Sequence, residues 1–309
     1  MCLMAWAIGQ STEHPLWVAA NRDEQWDRPT LALDVWHSSD GTTILGGRDG
    51  LAGGSWLAFG EQGRVAMLTN VRAWPPEAAA ARSRGELVTR WLLRQAPTTW
   101  QEMARHHAAH DYNGCNLVLG DVRRGCWAWL TNRDPTPHRA ATMPVVRVGG
   151  WWGGELPPGV YGLSNAALDT PWPKVVALRD ALTQALAAPD ADSATDRLLQ
   201  ALQRHVPHDD ERAHLESSPY VYLAQRRYGT RSSLIARWSA DGSLHVGEWI
   251  YAPQQGPTAA TAATPRWGRL PNWGGQPCVN DQPAGLATTQ ATSASRSIAS
   301  NGAGGARSV

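Results

Sequence analysis

Two apolar runs open the chain, Cys2-Leu3-Met4-Ala5-Trp6-Ala7-Ile8-Gly9 and Leu16-Trp17-Val18-Ala19-Ala20, and the second ends in Asn21-Arg22-Asp23-Glu24. The six residues between them, Gln10 to Pro15, are mostly polar, so the pair reads as a β-hairpin. In a simple antiparallel hairpin the end of the second strand lies beside the start of the first, which brings the polar cluster to Cys2. Side chains alternate between the two faces of a strand. The expectation is therefore that Asn21 and Asp23 face Cys2, while Arg22 and Glu24 point the other way.

Cys2 follows the initiator methionine directly. A small residue there permits removal of Met1, which would leave a cysteine carrying its own free α-amine. An α-amine with a pKa of about 7.7–8.0 sits close to the optimum for a general base at neutral pH. A thiolate is an intrinsically efficient nucleophile. A carboxylate beside the α-ammonium would hold it in place and tune its pKa. The same cysteine would equally serve as a small buried hydrophobe, and Asn21 to Glu24 as an exposed strand end.

Outward from the hairpin, short strands are predicted at 43–45, 55–59 and 64–70, separated by glycine-rich turns. Helices follow at 83–95, stopped by Pro97, and at 99–110, with Thr98-Thr99 as the N-cap. Strand patterns return at 115–120, 126–131, 145–148 and 160–163, then helices at 171–188 and 194–205. Two last strands, 232–239 and 244–250, flank an Asp241-Gly242 hairpin turn. Strands come in runs and helices in pairs, which argues for an α+β fold of antiparallel sheets covered by helix layers. One domain is expected over 1–252. Residues 253–309, rich in Thr, Ala, Ser, Gly and Pro without periodicity, read as a disordered low-complexity tail.

Bulk properties narrow the function. A formal net charge of +1 over 309 residues gives no reason to expect nucleic acid or an acidic membrane as partner. Seventeen Trp against one Phe means that tryptophan does much of the aromatic packing. The four cysteines, Cys2, Cys115, Cys126 and Cys278, form no C-x-x-C pair, against both a structural zinc site and a secreted disulfide framework. No basic leader with a long apolar run opens the chain, and no apolar stretch approaches the ~18 residues that would cross a bilayer. The expected compartment is the reducing cytoplasm. His106 and His110 would lie one turn apart on a helix, as metal or haem ligands could, and would equally suit its polar face.

The motifs also occur as a set. Met1-Cys2, Asn21-Arg22-Asp23-Glu24, Arg28-Pro29, Gly53-Gly54-Ser55-Trp56 and Leu68-Thr69-Asn70 are followed by Tyr112-Asn113-Gly114-Cys115-Asn116-Leu117. Then come Gly162-Leu163-Ser164-Asn165, Leu168-Asp169-Thr170-Pro171-Trp172-Pro173-Lys174 and Tyr228-Gly229-Thr230-Arg231-Ser232-Ser233. In this order they closely resemble the NRDE family, also called the transport and Golgi organisation protein 2 family. The resemblance implies the four-layer αββα sandwich of N-terminal nucleophile hydrolases, similar to choloylglycine hydrolases and penicillin V acylases. It implies Cys2 as nucleophile, Asp23 as orienter of the α-amine, Asn70 and Asn165 at the oxyanion site, and Arg231 as the late arginine. Asn21 and Arg22 are expected to bind at the same pocket, with Asn116, which stands behind Asn165 as the other candidate for the second asparagine. One departure is that the acylases carry an arginine three residues before the aspartate, whereas Arg22 is adjacent to Asp23. Two functions follow as expectations. The first is Cys2-dependent hydrolysis of a small amide or thioester without a cofactor. The second is non-catalytic binding and trafficking of haem or an acyl-CoA-like lipid in the same pocket.

Overall fold

Along β1 (Cys2–Ile8), Cys2, Met4, Trp6 and Ile8 enter one buried cluster, and Leu3, Ala5 and Ala7 enter another. A strand buried on both faces must lie between two layers, and the architecture follows from that. The computed structural model describes residues 2–73, 80, 82–138, 143–252 and 256, with the backbone of 265–270 and 278–280.

After β1 come β2 (Leu16–Gln25), β3 (Thr30–His37), β4 (Thr43–Asp49), β5 (Leu57–Gly60) and β6 (Arg64–Asn70). Helices α1 (Gly85–Leu92) and α2 (Trp100–His106) follow, then β7 (Cys115–Asp121), β8 (Cys126–Thr131), β9 (Val146–Val148), β10 (Trp151–Glu155) and β11 (Gly159–Leu163). The remainder is α3 (Pro173–Ala185), α4 (Ala191–Gln203), α5 (Glu211–Ser217), β12 (Tyr222–Leu223), β13 (Tyr228–Trp238), β14 (Leu244–Ile250), β15 (Pro265–Leu270) and β16 (Cys278–Asn280).

Two antiparallel sheets result. The first runs β11-β1-β2-β13-β14-β15-β16, with β12 on β13; the second runs β3-β4-β5-β6-β7-β8-β10-β9. Between the sheets lie Met4, Trp6, Val18, Phe59, Met67, Trp129 and Leu234. The outer face of the second sheet is covered by Leu87, Val88 and Trp91 of α1 and Trp100 and Met103 of α2. The outer face of the first is covered by Val175, Leu178 and Leu182 of α3 and Leu198 and Leu202 of α4. The order helix, sheet, sheet, helix is the αββα sandwich expected from the sequence.

Some elements depart from their expected form. β3 was not anticipated after Arg28-Pro29: its pairing with β4 is irregular between Leu31 and Asp34, so its apolar residues do not alternate. The Leu33 amide at that irregularity donates instead to Glu248 Oε2 of the facing sheet, at 2.6 Å. Helix α2 stops at His106, one turn short of the expected end, so His106 and His110 do not share a helix. Its cap is as read, with Thr99 accepting from the Glu102 amide. Within the stretch read as a disordered tail, β15 and β16 extend the first sheet beyond β14; its other residues, apart from 256, lie outside the described residues.

Candidate active site

The β1–β2 register pairs Ile8 with Leu16 and ends with Cys2 opposite Arg22. This corrects the expected faces. Cys2 shares the inter-sheet face with Arg22, whereas Asn21 and Asp23 look toward the helix layer. The pattern of alternation was right, but the turn sets which half meets Cys2, and a one-residue difference in register exchanges the faces. Gly9, in the left-handed region at φ +62, begins that turn and bonds the Pro15 carbonyl at 2.9 Å.

Cys2 lines a cavity of about 230 Å³ between the strand ends of the two sheets. Arg22, Asp23, Glu24, Arg28, Asp49, Trp56, Asn70 and Arg84 surround it. Arg22, only 5% exposed, donates to Thr30 Oγ1 at 3.1 Å, with its guanidinium 4.3 Å from the Trp56 ring centroid. Glu24 and Asp49 lie 3.7 and 4.0 Å from it, and Arg28 holds Asp49 at 2.6 Å. Burial pushes the Cys2 thiol up, Asp23 adds to the rise, and the Arg22 charge offsets part of it. One wall is Gly54-Ser55-Trp56 against the start of α1. A Cβ on Gly54 would collide with the Gly85 carbonyl carbon, so that wall needs glycine.

Asp23 lies one residue beyond the partner of Cys2, so β2 overhangs the start of β1 and carries Asp23 beyond that strand. Its carboxylate accepts from Thr230 Oγ1 at 2.8 Å. Burial raises its pKa, and the Lys174 charge lowers it. Asn21 is fully engaged elsewhere: its amide donates to the carbonyls of Leu202 and Pro219 at 2.8 and 2.9 Å, and Ser233 Oγ donates to its Oδ1 at 2.6 Å. It ties the end of α4 to the first sheet.

The asparagines divide similarly. Asn70 ends β6 and lines the Cys2 cavity. Asn165 follows β11, and its amide donates to the Asn70 carbonyl at 2.9 Å. Ser164 Oγ, beside it, donates to the Cys2 carbonyl at 2.9 Å. Asn116 lies beneath this junction, fully buried, donating to Thr69 Oγ1 at 3.0 Å and the Ala166 carbonyl at 2.8 Å while accepting from Trp129 Nε1 at 3.2 Å. Thr69 Oγ1 in turn donates to the Ser164 carbonyl at 2.6 Å. Segment 164–166 of one sheet is thereby bolted to β6 and β7 of the other, directly behind Cys2.

Arg231 is not brought to the cavity. It sits at the irregularity between Thr230 and Ser232, where pairing with β2 slips by one residue. Its guanidinium donates to the carbonyls of Gln25 and Trp26 at 2.9 and 2.8 Å, pinning the β2–β3 turn. The arginines at Cys2 are Arg22, Arg28 and Arg84. The roles of Arg28, Asp49, Trp56 and Lys174 were missed in the sequence, although Arg28-Pro29, Gly54-Ser55-Trp56 and Pro173-Lys174 stood in the quoted motifs. Asp49 stood in none, because its partner Arg28 is 21 residues away and only the sheet brings them together. No group of three or more His, Cys, Asp or Glu side chains converges in a metal-binding arrangement among the described residues.

An αββα sandwich with a cysteine opening its first strand, between an arginine and an overhanging aspartate, defines the class. The chain belongs to the Transport and Golgi organisation 2 family, whose sequence model matches residues 1–253. Relatives include the Transport and Golgi organization protein 2 homolog of Bos taurus, 34% identical over 252 residues, covering 75% of this chain and 84% of that protein. The Homo sapiens homolog is 32% identical over 248 residues, with the same coverage. Among solved structures, the chain is similar to a Caenorhabditis elegans N-acylethanolamine-hydrolyzing acid amidase ortholog, at 12% identity and TM-score 0.42, covering 76% of this chain and 92% of that one. It is also similar to the C2A mutant of a conjugated bile acid hydrolase from Clostridium perfringens, at 9% identity and TM-score 0.40, covering 80% and 88%. No helix among the described residues is long and apolar enough to cross a membrane.

Proposed function

We propose that this chain is an N-terminal cysteine hydrolase acting on a small amide or thioester. The observation that supports it most is Cys2 at the strand end, lining a polar cavity, with Asp23 carried just past it. Removal of Met1 would free the Cys2 α-amine beside that carboxylate. The amine takes the thiol proton, and the thiolate attacks the substrate carbonyl carbon to form a C–S bond. As the tetrahedral intermediate collapses, the leaving amine or thiol departs with the proton returned by the α-ammonium. Water then hydrolyses the acyl-thioester, releasing the carboxylic acid and restoring the thiol. The Asn70 side chain donates to the oxyanion, and Asn165 acts by holding the Asn70 backbone. Loss of one such donor typically costs about 10²–10³ in rate.

A cavity of about 230 Å³ ringed by charged side chains suits a compact polar acyl group better than a haem or a fatty acyl chain. For that reason the trafficking alternative is the weaker reading of this pocket. The scheme calls on no cofactor. We place it in the reducing cytoplasm, where Cys2, Cys115 and Cys126, all free here, would persist as thiols. Intact mass of the purified chain should show Met1 missing, and iodoacetamide should label Cys2 selectively near neutral pH. Cys2→Ala should abolish turnover across a panel of N-acyl amides and acyl thioesters. A wild-type chain inactive on the whole panel, with haem or acyl-CoA binding unchanged in Cys2→Ala, would overturn the proposal.

A further inference from the structure

Lys174 lies in the first turn of α3 and is completely buried. Its Nζ makes no hydrogen bond among the described residues and lies over the Trp172 ring at 5.9 Å, a weak contact for a cation. Each circumstance opposes a positive charge. Burial removes its hydration, the missing partner leaves that loss uncompensated, and the amino end of a helix is the wrong end for a cation. Nothing in packing requires a lysine where a methionine would fill the same space. The charge must therefore answer to another one.

The ionisable groups around it come from every neighbouring element: Asp23 on β2, Cys2 on β1, Glu216 and His214 on α5, and Arg72 after β6. Tyr228 on β13 and Tyr220 before β12 face the same carboxylate, Asp23. Among these, Asp23 favours the lysine's charge most strongly. Burial alone would carry the lysine down, and with these neighbours it stands at about 8.

We propose that Lys174 is a positioning residue of the Cys2 site, offsetting Asp23 so that the carboxylate holds the Cys2 α-amine without locking it as an ammonium. A buried carboxylate alone beside an α-ammonium would stabilise the charged form and make the amine a poor acceptor for the thiol proton. A second cation acting on that carboxylate withdraws part of the stabilisation. Asp23 then keeps the amine in place while Lys174 keeps part of it unprotonated at neutral pH. The role rests on Cys2 being the N-terminal nucleophile.

The test is the pH dependence of iodoacetamide labelling at Cys2, resolved by peptide mass, in the full chain with Met1 removal checked by intact mass. Lys174→Met removes the charge at nearly constant volume, Lys174→Gln is a second neutral variant should that one fold poorly, and Lys174→Arg keeps the charge. The neutral variants should move the labelling midpoint up by about one pH unit and slow labelling at neutral pH about tenfold. Lys174→Arg should leave the midpoint within a few tenths of wild type. A folded neutral variant with an unmoved midpoint, or Lys174→Arg shifting as far as Lys174→Met, would refute the role while leaving Cys2 as nucleophile. A wild-type chain whose Cys2 labels at no pH would instead remove the nucleophile, and this role with it.

Discussion

Replacing Arg22 by Met tests the strand register and the cavity together. The guanidinium is 95% buried, donates to Thr30 Oγ1 at 3.1 Å and lies 4.3 Å from the Trp56 ring. A hydrogen bond from a charged donor contributes about 1.5–3 kcal/mol, and a desolvated cation–π contact about 2 kcal/mol. The pairs with Glu24 and Asp49 are long and partly exposed, so they add less than about 1 kcal/mol after screening. Methionine keeps the buried stem and avoids the cost of desolvating a charge, which returns about 2 kcal/mol. The expected net loss is about 2–3 kcal/mol, or about 5–10 °C in Tm for a domain of this size, measured by urea and thermal unfolding. Because the Arg22 charge offsets part of the rise that burial gives the thiol, Cys2 labelling at neutral pH should also slow in the same variant. A stability loss below about 1 kcal/mol with unchanged labelling would mean that Arg22 lies on the opposite face from Cys2, as strand alternation alone had suggested.

Asn116→Ala should cost about 3–5 kcal/mol in urea unfolding, because it strands the Ala166 carbonyl and the Trp129 N–H in a dry interior. A stable variant that has lost ligand binding would instead make Asn116 a binding residue. Lys174 makes stability depend on pH in a defined sense. Its folded pKa of about 8 lies below its unfolded value, so above pH 8 the unfolded chain binds more protons and stability rises with pH. Between pH 8 and 9 that rise is about 1 kcal/mol. The raised Cys2 thiol works against it, because the unfolded thiol ionises first, so the quantity to measure is wild type minus Lys174→Met. A flat difference would mean that Lys174 holds its proton equally in both states, and would refute its lowered pKa. Finally, a double-mutant cycle of Asp23→Asn with Lys174→Met should be non-additive by more than about 0.5 kcal/mol. Asp23→Asn with Arg22→Met should be nearly additive, since adjacent residues of one strand face opposite layers.

The fold was largely legible because strands and helices announce themselves by period. Residues 64–70, 126–131 and 244–250 alternate cleanly between two buried faces, and the structure gives them the same limits. β3 was invisible because its pairing slips between Leu31 and Asp34 and Leu31 is exposed. α2 was overextended because the helix-forming residues run past His106 while the chain turns to bring Ala109 and Tyr112 under Trp151. The site was legible only in part. Cys2, Asp23 and Asn70 belong to strand ends, and strand ends can be found from sequence. The face of β2 that meets Cys2 depends on a turn whose register no local pattern reports. Arg231 misled for a related reason: one unpaired residue in β13 carries its side chain out to the β2–β3 turn.

Four consecutive polar residues at the end of β2 look redundant as sequence, yet the sheet gives each a different layer. Arg22 and Glu24 face the cavity with Cys2, Asn21 faces the helix layer and anchors α4, and Asp23 borders both the cavity and the helix layer that carries Lys174. The amino group of a chain beginning at Cys2 would lie in the plane of the sheet, where charges on both faces act on it at once. A cation in front lowers the thiol; a carboxylate balanced by a buried cation behind sets the amine. On the proposed mechanism either layer alone would bias one of the two groups and leave the proton on the wrong atom, so the alternation of Asn21 to Glu24 would itself be part of that chemistry. This explains why the polar cluster ends a strand rather than occupying a loop, where no sheet would fix which side chain faces which layer.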